Sequence, residues 1–335
     1  MMKLSSHITI GKWSFDYVVD VSINQSIETL TDTCKLTIPR KLQWNGKAIA
    51  MGDSSIGEVP ILKRGDKVVI ELGYDDVLKT RFIGYIKSIK SGVPVQIECE
   101  DSMFLLKKGN ITKSYAARHT LKQLLTDILP AGIEFVVPDV AEMVYLQPVN
   151  YTKMTPAKIL EELKGDGIYS YFRNITENGV TRPVLYSGLA YWVAKRKEQS
   201  FIFGHNIISD DLTYKIAEDV SLKVTAISML KNNTKIEKTY GDDDGEVRTL
   251  HFYDLTAADL EIYAKKEMER LKHTGYFGTF TTFGKPAVEK SDVAKITGNE
   301  YHPDGSYLIK SVKIDFGSKG YRQVITPDTL ITAAV

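Results

Sequence analysis

The chain has 335 residues, of which 43% are hydrophobic and 25% are charged, so it can bury substantial cores and is expected to form two or three domains. Its formal net charge is +1, from 43 basic and 42 acidic residues, which argues against a chain-wide electrostatic grip on nucleic acid. We therefore predict no specific nucleic-acid recognition. We also predict no stable membrane insertion and no secretory signal, because no apolar run reaches transmembrane length and residues 1–6 lack an apolar core.

Residues 1–108 show the alternating polar and apolar pattern of β-strands, interrupted by one long glycine-rich stretch. The strand-like segments are 7–40, Lys67–Leu72, Thr80–Lys90 and Val95–Asp101. Residues 41–64 are predicted to be irregular, and a loop of that length is expected to contact a partner or to be mobile. We predict that residues 1–108 form one β-barrel or sandwich.

Residues 109–203 change character and predict a small α+β domain. A capping-box pattern at Thr120 begins one helix, and Thr155 caps a second. Two tyrosine-rich strands follow, joined by a turn at Asn178 and Gly179.

Residues 204–335 return to the strand pattern and predict a second β-barrel that carries one helix. The acidic turn Asp242–Gly245 separates two strand-like segments and is predicted to close a hairpin. The helix is capped by Thr256, has Asp259 in its first turn, and ends before Gly275.

A repeated segment connects the two outer regions. Ile86–Lys90 recurs almost letter for letter as Ile309–Lys313. The flanking segments also match in order: Gly65–Ile70 with Ser291–Ile296 upstream, and Val95–Asp101 with Arg322–Asp328 downstream. This order of turn, strand, turn and strand predicts two β domains related by internal duplication.

The chain lacks the local motifs of common metal, nucleotide and hydrolase sites. No HExxH, CxxC, GxSxG, GxGxxG or Walker A pattern occurs. The Asp242–Gly245 turn fails EF-hand spacing, because Tyr240 and His251 would occupy its first and last ligand positions. Cys34 and Cys99 lie in strand-like runs and are expected to be buried thiols, with no disulfide indicated between them. The histidines show no metal-type pairing; they are His7, His119, His205, His251, His273 and His302. We predict no catalytic, cofactor-binding or metal site.

Two other patterns keep alternative functions open. Paired carboxylates would suit a cell-wall hydrolase, and the candidates are Glu98 with Glu100 and Glu161 with Glu162. Tyrosines on strands would suit a carbohydrate-binding surface, and the examples are Tyr169, Tyr171 and Tyr186. We favour solvated faces for the carboxylates and for the basic triplet Lys195–Lys197, and a core edge or subunit interface for the tyrosines.

The order of these parts resembles the baseplate hub proteins of contractile phage tails, of the late control protein D and Mu-like hub type. Related hubs occur in type VI secretion and extracellular contractile injection systems. The segments that carry the resemblance are Leu62–Ile70, Phe82–Ile86, Ile97–Asp101, Met154–Leu160 and Asp304–Val312. They are strand-and-turn patterns that together span nearly the whole chain.

The resemblance implies a homotrimer in the tail baseplate of the virion, assembled in the host bacterial cytoplasm. Each chain would supply two tube-like β-barrels, so that three chains form a pseudo-sixfold ring and part of the channel. The implied partners are a tail tube or tube-initiator protein, a trimeric spike protein and, as a further candidate, the tape-measure protein. Because the chain stops at Val335, the spike is expected to be a separate protein.

We therefore predict a mainly β structural protein with an α+β insertion and no enzymatic activity. Residues 41–64 are the predicted subunit or tube contact. A basic helix face at Lys265, Lys266 and Arg270 is a second candidate contact, with a plain solvated face as the alternative. The alternative functions are a tail-associated cell-wall hydrolase and a carbohydrate-binding β protein.

Overall fold

Strands dominate the structure. The computed structural model describes residues 3–39, 41–44, 47–50, 62–90, 92–117, 119–137, 145–146, 148–165, 168–189, 196–219, 221–230, 234–253 and 255–330. The strands are β1 Leu4–Ile10, β2 Trp13–Phe15, β3 Asp20–Ser26, β4 Thr33–Ile38, β5 Lys41–Trp44, β6 Lys47–Ala50, β7 Lys67–Tyr74, β8 Val77–Lys90, β9 Val95–Asp101, β10 Ile111–Tyr115, β11 His119–Thr120, β12 Phe135–Val136, β13 Tyr145–Leu146, β14 Val149–Met154, β15 Ile168–Glu177, β16 Val180–Leu189, β17 Glu198–Ile202, β18 Ile207–Asp210, β19 Thr213–Lys215, β20 Leu222–Met229, β21 Lys235–Gly241, β22 Glu246–Tyr253, β23 Gly275–Phe277, β24 Phe280–Phe283, β25 Val293–Thr297, β26 Gly305–Gly317 and β27 Gly320–Leu330. The helices are α1 Met103–Leu106, α2 Leu121–Ile128, α3 Pro156–Gly165 and α4 Ala257–Leu271.

Thirteen of these strands form one sheet that runs through both outer regions of the chain. Its order is β18-β24-β27-β26-β3-β4-β9-β8-β7-β1-β2, with β25 beside β26 and β17 beside β25. The two regions meet where β3, from the first, pairs antiparallel with β26, from the second.

The predicted internal duplication is visible in the strand order. The series β3-β4-β9-β8-β7 in the first half corresponds to β18-β24-β27-β26-β25 in the second, and every neighbour in both series is antiparallel. Ile89 lies opposite Ile97, and Val312 lies opposite Ile325 in the same way. Both ladders shift register between the same repeat positions, around Lys87 and around Lys310.

The turn that precedes each repeated strand is also duplicated. The Gly65 N–H donates to the Ile86 carbonyl at 2.9 Å, and the Ser291 N–H donates to the Ile309 carbonyl at 2.7 Å. Both residues have a left-handed backbone, with φ of 91° at Gly65 and 71° at Ser291. The two halves therefore share a backbone conformation at this position although the residue types, Gly65 and Ser291, differ.

One hydrophobic core serves both halves. Alternating side chains of β1, β3, β4, β7 and β9 pack in the same cluster as those of β24, β26 and β27. The sheet curls so that its distant strands also meet: the Arg81 side chain on β8 donates to Gln323 Oε1 on β27 at 2.8 Å. The Tyr74 hydroxyl on β7 donates to the Tyr321 carbonyl at 3.0 Å. The mainly β fold with two duplicated halves is as predicted, while the boundaries at 108/109 and 203/204 stay predictions.

The middle region has its own core, formed by α1, α2, α3 and strands β10 to β16. The helices begin as the sequence predicts, since the Thr120 hydroxyl accepts from the Gln123 N–H and the Thr155 hydroxyl accepts from the Lys158 N–H. β15 and β16 form the predicted hairpin around Asn178 and Gly179.

A further small unit departs from the prediction. Helix α4 does not pack on the large sheet core but on a separate three-stranded sheet of order β21-β20-β22. The predicted hairpin at Asp242–Gly245 is wrong, because β21 and β22 lie on opposite sides of β20 and β22 runs parallel to it. The turn instead crosses the start of β20, so closely that a Cβ at Gly241 would clash with the Leu222 carbonyl.

The predicted irregular loop at 41–64 also needs correction in part. β5 and β6 pair antiparallel, from Lys41 opposite Ala50 to Trp44 opposite Lys47. Residues 45–46 and 51–61 of the predicted contact loop lie outside the described residues.

Candidate assembly interface

The two halves of the molecule meet along one internal seam, the pairing of β3 with β26. The pairing runs in unbroken register from Asp20 opposite Gly317 to Ser26 opposite Ser311. It continues one step further, because the Ile27 N–H donates to the Lys310 carbonyl at 3.0 Å. The seam therefore consists of backbone hydrogen bonds along two strand edges.

Side chains on the inner face make the seam part of the core. Val21, Ile23 and Gln25 on β3 are buried opposite Phe316, Ile314 and Val312 on β26. Burying each aliphatic side chain contributes about 1.5–3 kcal/mol. On the outer face the Ser22 hydroxyl donates to Asp315 Oδ1 at 2.7 Å. Backbone pairing sets the register, and apolar burial supplies most of the stabilisation.

A buried charge cluster lies where the seam ends. Lys290 Nζ, from the second half, donates to Asp32 Oδ1 at 2.5 Å and to the Ser26 carbonyl at 3.3 Å, both in the first half. The side chains of Lys290 and Asp32 are only 1% and 4% exposed. The Asp32 N–H in turn donates to Asp101 Oδ2 at 3.2 Å. One ammonium thus faces two carboxyl groups away from water.

Burial controls the ionisation of these carboxyls. Burial raises the pKa of Asp101 to about 7; the nearby Asp32 charge adds to this rise and Lys290 opposes it. Burial also raises the pKa of Asp32, against the charge and hydrogen bond of Lys290. The two carboxyls therefore interact, and their protons are gained and lost as those of a pair.

The middle region is attached at the same point. The Arg173 guanidinium on β15 donates to Asp292 Oδ1 at 2.6 Å, and both side chains are buried. The Tyr171 hydroxyl donates to Ser291 Oγ at 3.2 Å, and Lys290 Nζ lies 5.2 Å from the centroid of the Tyr171 ring. Three consecutive residues therefore connect all three regions of the chain. Because desolvating ion pairs is costly, such a cluster favours one arrangement of the regions more than it adds stability.

The sheet also has unpaired edges. In the described part of the chain β2, β17 and β18 each have a single neighbouring strand. Unpaired edges expose backbone donors and acceptors that can bind a strand of another chain. They are the surfaces of this fold best suited to assembly.

In the part of the chain that the structure describes, the candidate catalytic and ligand side chains do not converge on a site. Asp242 accepts from Lys272 Nζ at 2.7 Å and from the Leu222 N–H at 3.1 Å, and the hydrogen bond from Lys272 is the largest of the effects that lower its pKa. Hydrogen bonds from Lys90 and Ser88 lower the pKa of Glu98. Burial acts to raise the pKa of Glu100, but Lys107 and Lys87 outweigh it, so the pKa is lowered. A general acid of a glycosidase needs the opposite shift.

The other candidates are held in structural contacts. Glu161 and Glu162 are exposed on α3. His119 is buried and stacks on Tyr115, and His302 stacks on Tyr214. Within the described residues, no three metal-type side chains come together. No helix in that same part of the chain is long and apolar enough to cross a membrane.

Tyr171, Tyr186 and the two cysteines make packing contacts inside the molecule. Tyr171 is buried and stacks on Tyr186, directly opposite it on β16, so this pair packs at the junction of regions. Cys34 and Cys99 are buried free thiols that face each other across β4 and β9. In the basic triplet, Arg196 is half-buried, Lys197 is exposed, and Lys195 lies outside the described residues.

Sequence reasoning missed the Lys290 cluster. One signal could have found it: Lys290 stands at the repeat position that Arg64 occupies in the first half, directly before the paired Gly65 and Ser291. A cation at the same place in both repeats marks this position as a candidate contact, which only the second half makes.

The fold matches those of solved tail proteins over almost its full length. A 43 kDa tail protein of prophage MuSo2 from Shewanella oneidensis is 17% identical, with 99% of each chain covered and a TM-score of 0.64. A tail protein from Neisseria meningitidis MC58 is 15% identical, with 97% of this chain and 96% of that chain covered and a TM-score of 0.64. The E. coli protein c3393, described as a component of the type VI secretion system with structural similarity to bacteriophage T4 tail proteins gp27 and gp5, is 12% identical; 96% of this chain and 76% of that chain are covered, at a TM-score of 0.62.

No protein-family model matches the chain, and no curated protein matches its sequence. At these identities the likeness establishes the fold. The resemblance predicted from the sequence is thereby confirmed at that level: this chain has the fold of solved tail proteins, one of them from a prophage, and of a type VI secretion component.

Proposed function

We propose that the protein is the structural baseplate hub of a contractile phage tail or related injection system. In this role it forms a trimer that joins the tail tube to a spike protein and lines part of the channel. The observation that carries the proposal is the duplication of one strand series within a single sheet, in a chain with the fold of tail proteins.

The duplication suits a connection between two symmetries. A chain with one β domain presents three equivalent faces in a trimer, whereas a chain with two related halves presents six. A trimer of this chain can therefore match a sixfold tube on one side and a threefold spike on the other. The internal seam of β3 and β26 supplies the half-to-half contact that such a ring repeats.

The role is structural and not enzymatic. Glu98 and Glu100, the candidate carboxylates on one strand, are both neutralised by lysines and have lowered pKa values. The buried pair Asp32 and Asp101 is occupied by Lys290 at the junction of regions. The similar solved proteins are described as tail and secretion components, which supports a location in a tail baseplate.

The partners follow from this placement. Tube and tube-initiator proteins, a trimeric spike protein and the tape-measure protein are the proposed neighbours. Residues 41–64 and the basic face of α4 are proposed contacts, although Lys265 also forms an ion pair with Glu261 one helical turn away. Deletion of residues 46–58 tests the loop, since unchanged assembly would remove it from the interface.

Solution mass tests the proposal directly. Light scattering over a range of concentrations is expected to give a species of three chains, each of 37.6 kDa. Electron microscopy of that species is expected to show a ring with six similar lobes around a channel. A monomer at every concentration, or a ring without a channel, contradicts the proposed function.

A further inference from the structure

One strand edge in the first half is open where its counterpart in the second half is covered. Ser88–Lys90 of β8 pairs with β9 on one side, and within the described residues no strand lies on the other. The repeat equivalents Ser311–Lys313 of β26 pair with β27 on one side and with β3 on the other. The first half thus has an unused copy of the surface that binds β3.

The second half has an unused copy of β3 itself. β18 and β19 continue one ladder against β24 and β23, because Asp210 lies opposite Phe280 and Tyr214 lies opposite Tyr276 in the same register. Ile97 and Ile325 are repeat equivalents. Leu36 of β4 lies opposite Ile97, and Phe280 of β24 lies opposite Ile325, so Leu36 corresponds to Phe280.

This alignment assigns an equivalent to each residue of the internal seam. Val21 lies opposite Leu36 on β4, so it corresponds to Asp210. Counting along both strands, Asn24 corresponds to Thr213, Gln25 to Tyr214 and Ile27 to Ile216. The outer side of β18 and β19 pairs with no strand in the described part of the chain.

Apolar side chains along both open edges are only partly buried. Ile89 on β8, Leu212 just before β19 and Tyr214 on β19 pack at the rim of the large core and remain partly exposed. Ile27 is 1% exposed at the internal seam, whereas its equivalent Ile216 is 49% exposed. Leu308 of the second half and Tyr171 of the middle region cover Ile27, whereas the equivalent apolar side chain Ile216 is half exposed at the open edge.

We propose that the β18–β19 edge of one copy pairs antiparallel with Ser88–Lys90 of a second copy, in the register of the internal seam. Ile89 then lies opposite Tyr214 and Lys90 lies opposite Thr213. The Ile216 N–H donates to the Lys87 carbonyl, as the Ile27 N–H donates to Lys310 within the chain. Closure of the ring after three copies rests on the proposed function; the strand pairing itself rests on the repeat.

Charge supports the same pairing. Arg64 is the positional equivalent of Lys290, and it is exposed beside the Phe104 ring. The turn that follows β19 carries exposed Glu218 and Asp219. The pairing brings Arg64 to this acidic turn, as the internal seam brings Lys290 to Asp32.

Paired cysteines test the register. Lys90 and Thr213 are exposed on the outer face, and their equivalents Lys313 and Asn24 are directly opposite each other. Lys313 and Asn24 form the same kind of close pair as Asp315 and Ser22, whose side chains are hydrogen-bonded. Cα atoms of such pairs lie about 4.5 Å apart, within the range that a disulfide spans.

The variant Lys90→Cys with Thr213→Cys, made in the full chain, is expected to give covalent oligomers up to a closed three-chain species under mild oxidation. Each single-cysteine variant is expected to give dimers at most. The matched control is Lys79→Cys with Thr213→Cys, because Lys79 is an exposed lysine of the same strand at a position already paired with β7. It is expected to give no cross-linked oligomers above the single-cysteine background. A second pair, Ser88→Cys with Lys215→Cys, probes the same register at an adjacent position.

The outcomes separate this inference from the proposed function. Trimers by light scattering that cross-link at neither register pair would overturn the inference and leave the hub function standing. Cross-links in register in a preparation whose mass is not that of a trimer support the strand pairing and contradict the trimeric hub. A monomer with no cross-links contradicts both, and assigns the open edges to another protein. Circular dichroism of each variant must match the unmodified chain for its result to count.

Discussion

The two turns Lys63–Asp66 and Glu289–Asp292 have the same backbone and different surroundings. In each, the first N–H is held by the carboxylate at the end: Lys63 to Asp66 Oδ2 at 2.9 Å, and Glu289 to Asp292 Oδ2 at 3.0 Å. In the second turn Lys290 is buried by β3 and bound to Asp32, whereas in the first Arg64 is exposed.

The two turns share their backbone hydrogen bonds but differ in the contacts of their cation. Backbone hydrogen bonds specify the turn, and they are satisfied locally in both halves. The role of the cation depends on whether another strand covers it. Substitutions at equivalent positions in the two turns should therefore differ in effect, by amounts set by burial.

The largest difference is expected between Lys290→Met and Arg64→Met. Removing Lys290 leaves Asp32 and Asp101 buried without their ammonium partner, and is expected to lower the free energy of unfolding by about 3–5 kcal/mol. Arg64→Met removes an exposed charge and should change it by about 0.5 kcal/mol or less. Urea unfolding followed by circular dichroism measures both, and equal losses would show that burial does not distinguish the turns.

The next effect is a pH dependence of the buried charge cluster around Lys290, in which Asp101 is hydrogen-bonded to the Asp32 N–H. The pKa of Asp101 in the folded chain, about 7, lies above its value of about 4 in the unfolded chain. The folded state therefore binds the proton more tightly, and the stability from the protonated form, present in full below about pH 4, is lost as the pH rises towards 7.

Asp101→Asn cannot ionise, so its free energy of unfolding relative to the unmodified chain is expected to rise between pH 5 and pH 7. The slope is at most about 1.4 kcal/mol per pH unit. The variant also loses one acceptor for the Asp32 or Met103 N–H, which lowers its stability at every pH without changing the slope. Unfolding at pH 5, 6, 7 and 8 measures the difference, with the exposed Asp243→Asn as baseline; a flat difference for Asp101→Asn would contradict the assignment.

The smallest effect concerns the left-handed residue of each turn. Gly65→Ala introduces a Cβ at φ of 91°, and its nearest neighbours are 3.7 Å or more away, so the cost is backbone strain alone. We expect a loss of about 1–2 kcal/mol. Ser291→Gly relieves the same strain but loses the hydrogen bond from Tyr171, and is expected to stay within about 1 kcal/mol of the unmodified chain. Thermal unfolding distinguishes the two, and a larger loss for Ser291→Gly would reverse this ranking.

Local patterns made much of the fold predictable. The repeat at Ile86–Lys90 and Ile309–Lys313 could be recognised because the two equivalent strands have nearly the same residues. In the structure both copies also have the same register shift. The caps at Thr120 and Thr155 were readable because a cap needs only the first turn of its helix.

Long-range pairing made the rest unpredictable. The Asp242–Gly245 turn suggested a hairpin, but the partner of β21 is β20, which precedes it in the chain. Lys290 and Asp32 are 258 residues apart, and no spacing rule connects them. The strand edge that the repeat leaves open becomes visible only when the two halves are laid over each other.

The connections between equivalent strands have a consequence for how this chain can vary. In the first half residues 27–32 join β3 to β4, whereas in the second half residues 216–274 join β19 to β23 and contain a whole small unit with its own core. Lengthening a surface connection costs little stability, since the entropy of closing a loop grows slowly with its length. The halves can thus acquire unequal attachments after duplication while their strands keep a common frame. Three such chains in a ring would display their added units at every second position.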